Sequence, residues 1–394
     1  MSDDLDYSPL ALFALPLAGE GQSMPRVFGA PSRYVQGAGV IRQAGHYLSR
    51  LGFRHCAILA STRCMQAEGG ELLSSMQSAG LTTEVLAFGG ECSLDEINVH
   101  RDALARQPQT VDSLVAVGGG KAVDAGRAIA HRLGIPVAVV PSLASNDAPC
   151  AAVSVIYTPA GETADAEVYD SNPELVLVDT AVIAGGGERY LVAGMGDAMA
   201  TWYEARATAR SSAGINVFGS RPTLAATALA QLCADTLYAQ GVNALRALRE
   251  QRMDESLEQI VEANVLLSGL GYESGGIAAS HAVAQGYTMI ARVHEQHLHG
   301  EMVAMGVLAQ LCLEADVAEA RRAAAFFAEV GLPVCLSQLG LDADNTTELA
   351  LVTGAAMAFP FLANMPDEVT QESLLDAIVA ADRLGREFIG ASKA

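Results

Sequence analysis

The chain has 394 residues, more than one hydrophobic core usually supports, so its length predicts two domains. Apolar residues make up 51%, charged residues 18%, and mean hydropathy is +0.25, which excludes a disordered chain. With 24 basic and 45 acidic side chains the net charge is −21, so neither nucleic acid nor an anionic membrane is an expected partner.

The acidic start, Met1-Ser-Asp-Asp-Leu-Asp, lacks the basic opening of a secretory signal. The apolar run at 9–17 is too short to span a bilayer, and no stretch approaches ~18 uninterrupted apolar residues. Seven scattered cysteines with no C-x-x-C pair suit reduced thiols in a cytoplasm and argue against a disulfide framework or a cysteine zinc site. Residues 55–61 (HCAILAS) form a strand-like run, followed by helical spacing near 68–78 and a second strand pattern at 83–88. Another apolar run, 113–117, closes on three glycines; 122–133 have helical spacing, and 136–140 (PVAVV) read as the next strand. Two tandem βαβ units predict a parallel sheet covered by helices. Runs at 152–157 and 175–178 would add a hairpin or edge strands, and the stretch after Gly161 (ETADAEVYDSNPE) reads as a loop. Beyond about Gly187, Ala, Leu, Met and Glu dominate, predicting an all-helical second half broken at Gly271, Gly275-Gly276, Gly331 and Pro360. Ligands of such sheets bind beyond the carboxyl ends of the strands, so a cleft between the two domains is expected.

Three features carry chemistry. VAVGGGKAVD (115–124) is strand, glycine turn, helix: glycines let backbone N–H groups approach a pyrophosphate, and the helix points its positive end at it. Lys121, the only lysine besides Lys393, adds a cation there. Neither G-x-G-x-x-G nor the Walker pattern is present, and a tight turn without a ligand explains the glycines as well. VPSLASNDAP (140–149) sets Ser142, Ser145, Asn146 and Asp147 after the next strand, within reach of ribose or substrate hydroxyls, or else as a loop that satisfies its own backbone. Four of the eight histidines fall between 281 and 299: His281 in an apolar helical segment, His299 just before an apolar helix at 302–311. Asp197, in GMGD, stands at the expected start of a helix over 198–206, where an acid also serves as a plain N-cap. A metal site of one carboxylate and two imidazoles, Asp197, His281 and His299, explains all three together. The alternative is a solvated loop plus one hydrogen-bonded core imidazole.

Taken together, the blocks RYVQGAGV (33–40), FGGECS (88–93), GGGKAVDAGRAIAH (118–131), VPSLASNDAPC (140–150), SVIYT (154–158), GMGDAMATWYEARA (194–207), GYESGGIAASHAVAQG (271–286) and HLHGEMVAMG (297–306) resemble the iron-containing alcohol dehydrogenase superfamily, and within it the glycerol dehydrogenases. The match runs from about Met24 to the C-terminus, so residues 1–23 are an extension or precede the true start. The resemblance implies the dehydroquinate synthase-like fold, with an α/β dinucleotide-binding domain over 24–186 and an all-α metal-binding domain over 187–394. It implies Asp197, His281 and His299 as ligands of one divalent metal, zinc before iron. Gly119, Gly120, Lys121 and Asp124 correspond to the pyrophosphate and ribose loop, and Ser142, Ser145, Val153 and Tyr157 to further cofactor contacts. Asp147 matches the substrate-contacting acid, making Asp147 and His281 the catalytic candidates; His294 or His297 would assist proton release. The implied reaction is hydride transfer between a nicotinamide cofactor and a small vicinal diol, glycerol giving dihydroxyacetone, in a homo-oligomer, an octamer or smaller. Ser61, with Arg63 nearby, stands where relatives carry an Asp for the adenosine ribose, so NADP is expected to be accepted beside NAD. Asn146 and Ala151 replace the Thr and Ser common there, which leaves a related polyol, hydroxyketone, aldehyde or 2-hydroxycarboxylate as the alternative substrate. A dehydroquinate synthase-like lyase is the alternative from another class; it wants a Lys and Arg phosphate cluster near the metal, and the metal-site blocks contain no lysine.

Overall fold

The computed structural model describes residues 24–159 and 161–389; the extension expected over 1–23 lies outside them. The chain gathers into two compact units. One comprises Gly29–Ala144 and Ala148–Gly187; the other comprises residues 24–28, Ser145–Asp147 and 188–389.

The first unit is α/β. Its strands are β1 (Tyr34–Gln36), β2 (His55–Ala60), β3 (Thr82–Ala87), β4 (Ser113–Gly118), β5 (Val137–Pro141), β6 (Val153–Tyr157), β7 (Thr163–Val168) and β8 (Leu175–Val178). Its helices are α1 (Ala44–Arg50), α2 (Thr62–Ala67), α3 (Gly69–Ser78), α4 (Leu94–Ala105), α5 (Gly120–Leu133) and α6 (Thr180–Gly185). Six strands form an all-parallel sheet in the order β1-β8-β5-β4-β2-β3. Every residue of β4, β5 and β8 is buried, which is why these segments read as unbroken apolar runs rather than alternating ones. β2 and α1 and α3 pack Ile58, Leu48, Leu72 and Met76 into one core.

Two expectations are corrected here. β8 is an interior strand, because the three-residue β1, too short to show a period, pairs with Tyr34 opposite Val176 and covers its outer edge. The stretch after Gly161 is not a loop: residues 163–168 form β7, paired antiparallel with β6. Its alternation was hidden because four of its six side chains are exposed.

The second unit is helical: α7 (Glu188–Arg210), α8 (Leu224–Arg249), α9 (Glu255–Glu262), a π-helical turn (Ala263–Leu267), α10 (Ser268–Gly275), α11 (Ala279–Tyr287), α12 (Ala291–Gln296), α13 (His299–Leu313), α14 (Val317–Val330), α15 (Thr346–Met357) and α16 (Gln371–Arg386). α7 corrects a third expectation. It starts at Glu188, so Asp197 lies inside it and caps nothing. Gly196, just before Asp197, serves packing: a Cβ on it would stand 2.3 Å from the Gly300 carbonyl oxygen, and one on Gly300 1.8 Å from that of Ala193. α7 and α13 therefore cross backbone to backbone. Gly306 does the same for α13 against α11, where a Cβ would meet the Ser280 oxygen at 2.1 Å.

Candidate active site

In the α/β unit, β2, β4 and β5 are adjacent and in register, Ala60 opposite Val117 and Gly118 opposite Pro141. Their carboxyl ends bring Ser61, Gly119 and Ser142 to one edge of the sheet. The chain runs from β2 outward to β3 and returns across β2 to β4, so the topological switch, where open sheets take ligands, lies between β2 and β4. Gly118 has φ 150°, and a Cβ there would stand 2.8 Å from that of Ala122, so the turn requires glycine. Gly119 precedes α5, no side chain caps that helix, and its first amides are the donors a phosphate would use. Ser142 N–H donates to the Gly118 oxygen at 2.9 Å, tying the two turns together.

Other residues of this group are engaged differently from a simple phosphate cradle. Lys121 Nζ lies 2.7 and 2.6 Å from the two Glu91 oxygens and 4.8 Å from the centre of the Tyr157 ring. Asp124 is buried, accepts from Arg127 Nη1 at 3.0 Å and from Val155 N–H at 3.3 Å, and is pushed up to about 6 by burial, against the opposing pull of Arg127. Arg127, wholly buried, also donates to the carbonyls of Val153 and Ala148 and so holds the start of β6 in place. Ser61 caps α2 through Cys64 N–H at 3.2 Å, and Arg63 beside it is exposed.

The helical unit gathers the three residues expected at a metal. Candidate ligand atoms of Asp197, His281 and His299 all lie within 4.8 Å of one another. Nε2 of His281 is 3.5 Å and Nε2 of His299 3.3 Å from the same oxygen, Oδ1 of Asp197. Two ligands sharing a tetrahedral zinc at ~2.0–2.1 Å stand about 3.4 Å apart. That oxygen is buried and accepts no hydrogen bond, while Oδ2 receives the Asp147 N–H at 3.2 Å. A buried carboxylate oxygen without a donor, facing two imidazoles, fits a divalent cation. Exposure rises from 0% at Asp197 through 12% at His281 to 48% at His299, so the cluster opens to solvent on the His299 side.

Electrostatics are mixed here. Burial alone would raise Asp197, but the two imidazoles beside it, His299 first and then His281, hold it below the usual carboxylate range. Asp147 is driven well above that range by burial and then by the Asp197 charge, and its Oδ2 is buried without a hydrogen-bond partner. Burial would lower His281, yet Glu204 and Asp197 raise it well above the usual imidazole value. His297 stands apart, its Nδ1 facing Glu301 at 3.2 Å, and His294 lies on α12, outside the convergent group.

The sequence pattern of the iron-containing alcohol dehydrogenases matches residues 31–180. A glycerol dehydrogenase of Escherichia coli O6:H1 is 42% identical over 368 residues, 93% of this chain and 99% of its own. A glycolaldehyde reductase of Halobacterium salinarum is 39% identical, over 92% and 99%. The crystal structure of the Schizosaccharomyces pombe glycerol dehydrogenase has a TM-score of 0.88 at 33% identity, covering 94% of this chain and 93% of that one. The chain belongs to the iron-containing alcohol dehydrogenase family. It is an oxidoreductase of that class, and among the described residues no helix is long and apolar enough to cross a membrane.

Two acids of this alcohol dehydrogenase, Glu91 and Glu204, are engaged here without standing out in the sequence. Glu91 sits in FGGECS, and nothing local signals that it reaches Lys121. Glu204 does leave a signal: in GMGDAMATWYEARA it follows Asp197 by seven positions, about two turns on the same helix face, in an otherwise apolar stretch. Asn146 lies beside Asp147, whereas Ala151 is fully buried.

Proposed function

We propose that this alcohol dehydrogenase interconverts a small vicinal diol and its hydroxyketone, glycerol and dihydroxyacetone first, with NAD as hydride carrier and zinc as metal. The carrying observation is the donorless Oδ1 of Asp197 between two imidazoles, in a chain 42% identical to a glycerol dehydrogenase. Residues 24–186 serve as the dinucleotide-binding domain and 187–394 as the metal-binding domain. Asp197 supplies the balancing charge, and His281 and His299 supply neutral nitrogen donors. Bound there, a divalent ion would act as a Lewis acid toward a substrate hydroxyl, and a nicotinamide dinucleotide at the glycine turn would take up the hydride. Asp147, buried beside Asp197 with one carboxyl oxygen unpaired, offers that carboxyl to the second hydroxyl of the diol. The exposed face of His299 leaves an approach for a small neutral substrate. Gly119, Gly120 and Lys121 would take the pyrophosphate, and Ser142, Ser145, Val153 and Tyr157 line the carrier beyond it. Ser61, its hydroxyl used as a cap, with exposed Arg63 beside it, offers a 2′-phosphate a cation and no competing acid, which supports use of NADP. The protein works as a homo-oligomer.

A spectrophotometric screen at 340 nm decides the reading. Zinc-loaded enzyme is expected to reduce NAD with glycerol or 1,2-propanediol. Turnover of none of the diols with either dinucleotide overturns it. The similarity to a glycolaldehyde reductase supports one second reading, a hydroxyaldehyde substrate, tested in the same screen by dinucleotide oxidation.

A further inference from the structure

Glu204 is wholly buried on α7, facing the start of α11. Its Oε1 accepts the backbone N–H groups of Ala278 and His281, each at 2.8 Å, and its Oε2 lies 2.5 Å from Nδ1 of His281. α11 has Ala278 at its N-cap position and no capping side chain of its own, so the carboxylate of a neighbouring helix takes that role. A carboxylate has only acceptors, so the hydrogen of the neutral imidazole resides on Nδ1 and the lone pair on Nε2. Nε2 is the atom that faces Oδ1 of Asp197.

A neighbouring position shows what capping alone requires. The next amide in use on α11, Ser280 N–H, and the Ser280 hydroxyl are both received by Oε1 of Gln310, another fully buried side chain. An amide oxygen suffices there. At His281 the chain places an acid, whose second oxygen goes to the imidazole.

We propose that Glu204 is the positioning residue of the metal site: by fixing the ring of His281 and its Nδ1–H tautomer, it keeps Nε2 unprotonated and aimed at the cation. The proposal rests on the metal-site reading above. Outer carboxylates that orient a ligating imidazole typically change metal affinity by about 10–100-fold when removed.

Glu204→Gln tests it. The amide oxygen can still receive both backbone donors, but its NH2 group then faces Nδ1 and favours hydrogen on Nε2. The expected result, from chelator competition on metal-free protein, is zinc affinity lower by about 10–100-fold. The melting temperature of the metal-free protein should stay within about 4 °C of the parent's. Nitrogen NMR of histidine-labelled, metal-free protein, at a pH high enough to leave His281 neutral, should show that ring passing from the Nδ1–H to the Nε2–H form. Glu204→Asp keeps a carboxylate and should retain the Nδ1–H form with affinity nearer the parent's. Unchanged affinity and tautomer in Glu204→Gln overturn the proposal, as do equal losses in both variants. Asp197→Ala separates the two levels: full zinc stoichiometry in that variant refutes the metal site itself, whereas its loss alongside an unaffected Glu204→Gln refutes only the role of Glu204.

Discussion

Two buried carboxylates, Asp124 in the α/β unit and Asp197 in the helical unit, have opposite surroundings. Asp124 faces Arg127, and its oxygens are taken by that guanidinium and by Val155 N–H. Asp197 has one oxygen on a backbone amide and the other on nothing but two imidazoles at 3.3 and 3.5 Å. The difference follows from what each unit offers a ligand. At the strand ends the groups that would bind a ligand are backbone amides exposed by glycine, so nearby side chains are free to pair with one another. At the helix crossing the groups that would bind are the side chains themselves, and Oδ1 of Asp197 is left without a hydrogen bond.

The largest expected effects test that contrast. Asp197→Ala should lose bound metal and about a thousandfold in kcat/KM, a loss of several kcal/mol of transition-state stabilisation, checked by metal analysis and steady-state kinetics. Arg127→Met should do the reverse: retain metal but lose about 3–5 kcal/mol of stability, because Asp124 is left buried without its partner. Metal loss from a folded Arg127→Met protein would break the contrast.

Next in size is the glycine crossing. Gly300→Ala places a methyl group against the Ala193 carbonyl and should cost about 1–3 kcal/mol, lowering zinc affinity as α7 and α13 move apart. Gly185→Ala, with no neighbour within 4 Å, should leave thermal unfolding within about 1 kcal/mol of the parent and zinc affinity unchanged. Equal effects of the two substitutions would show that the crossing does not position the ligands.

Asp124 also makes a pH signature. Its folded value of about 6 lies above the ordinary 3.8, so between these values the native state holds more protons than the unfolded chain. Stability from this group is fully present below pH 4 and falls as pH rises through 6. Asp124→Asn should flatten that part of the stability profile measured by denaturant titration; an unaltered slope would place the titration elsewhere.

The smallest effect concerns Lys121 and Glu91, whose side chains are 39% and 35% exposed. An ion pair this wet contributes about 0–1 kcal/mol, so Glu91→Gln should scarcely move the melting temperature. Releasing Lys121 should instead tighten dinucleotide binding a few-fold, read by nucleotide fluorescence titration. Weaker binding would mean that Glu91 itself contacts the dinucleotide.

The parallel sheet was legible because buried central strands leave unbroken apolar runs and helices repeat near 3.6 residues. β1 and β7 were not: three residues carry no period, and a mostly exposed strand carries little apolar signal. For the metal group, Asp197, His281 and His299 were nameable as types, and likeness to known blocks suggested grouping them. Their partners were less visible. Glu204 and Gln310 act across helices, and the pairing of Lys121 with Glu91 spans 30 positions.

By itself the sequence determined an acidic two-part chain, with a glycine turn after an interior strand and an acid and two histidines on apolar helices. Those follow from local chemistry: hydrophobic period, glycine placement and residue type. Only the tertiary structure decided that Asp197 lies inside a helix, that Gly196 and Gly300 let two backbones touch there, and that Asp124 is held by Arg127. It also decided which nitrogen of His281 faces the acid. Each of these depends on a contact between segments far apart in the chain, which no local pattern encodes.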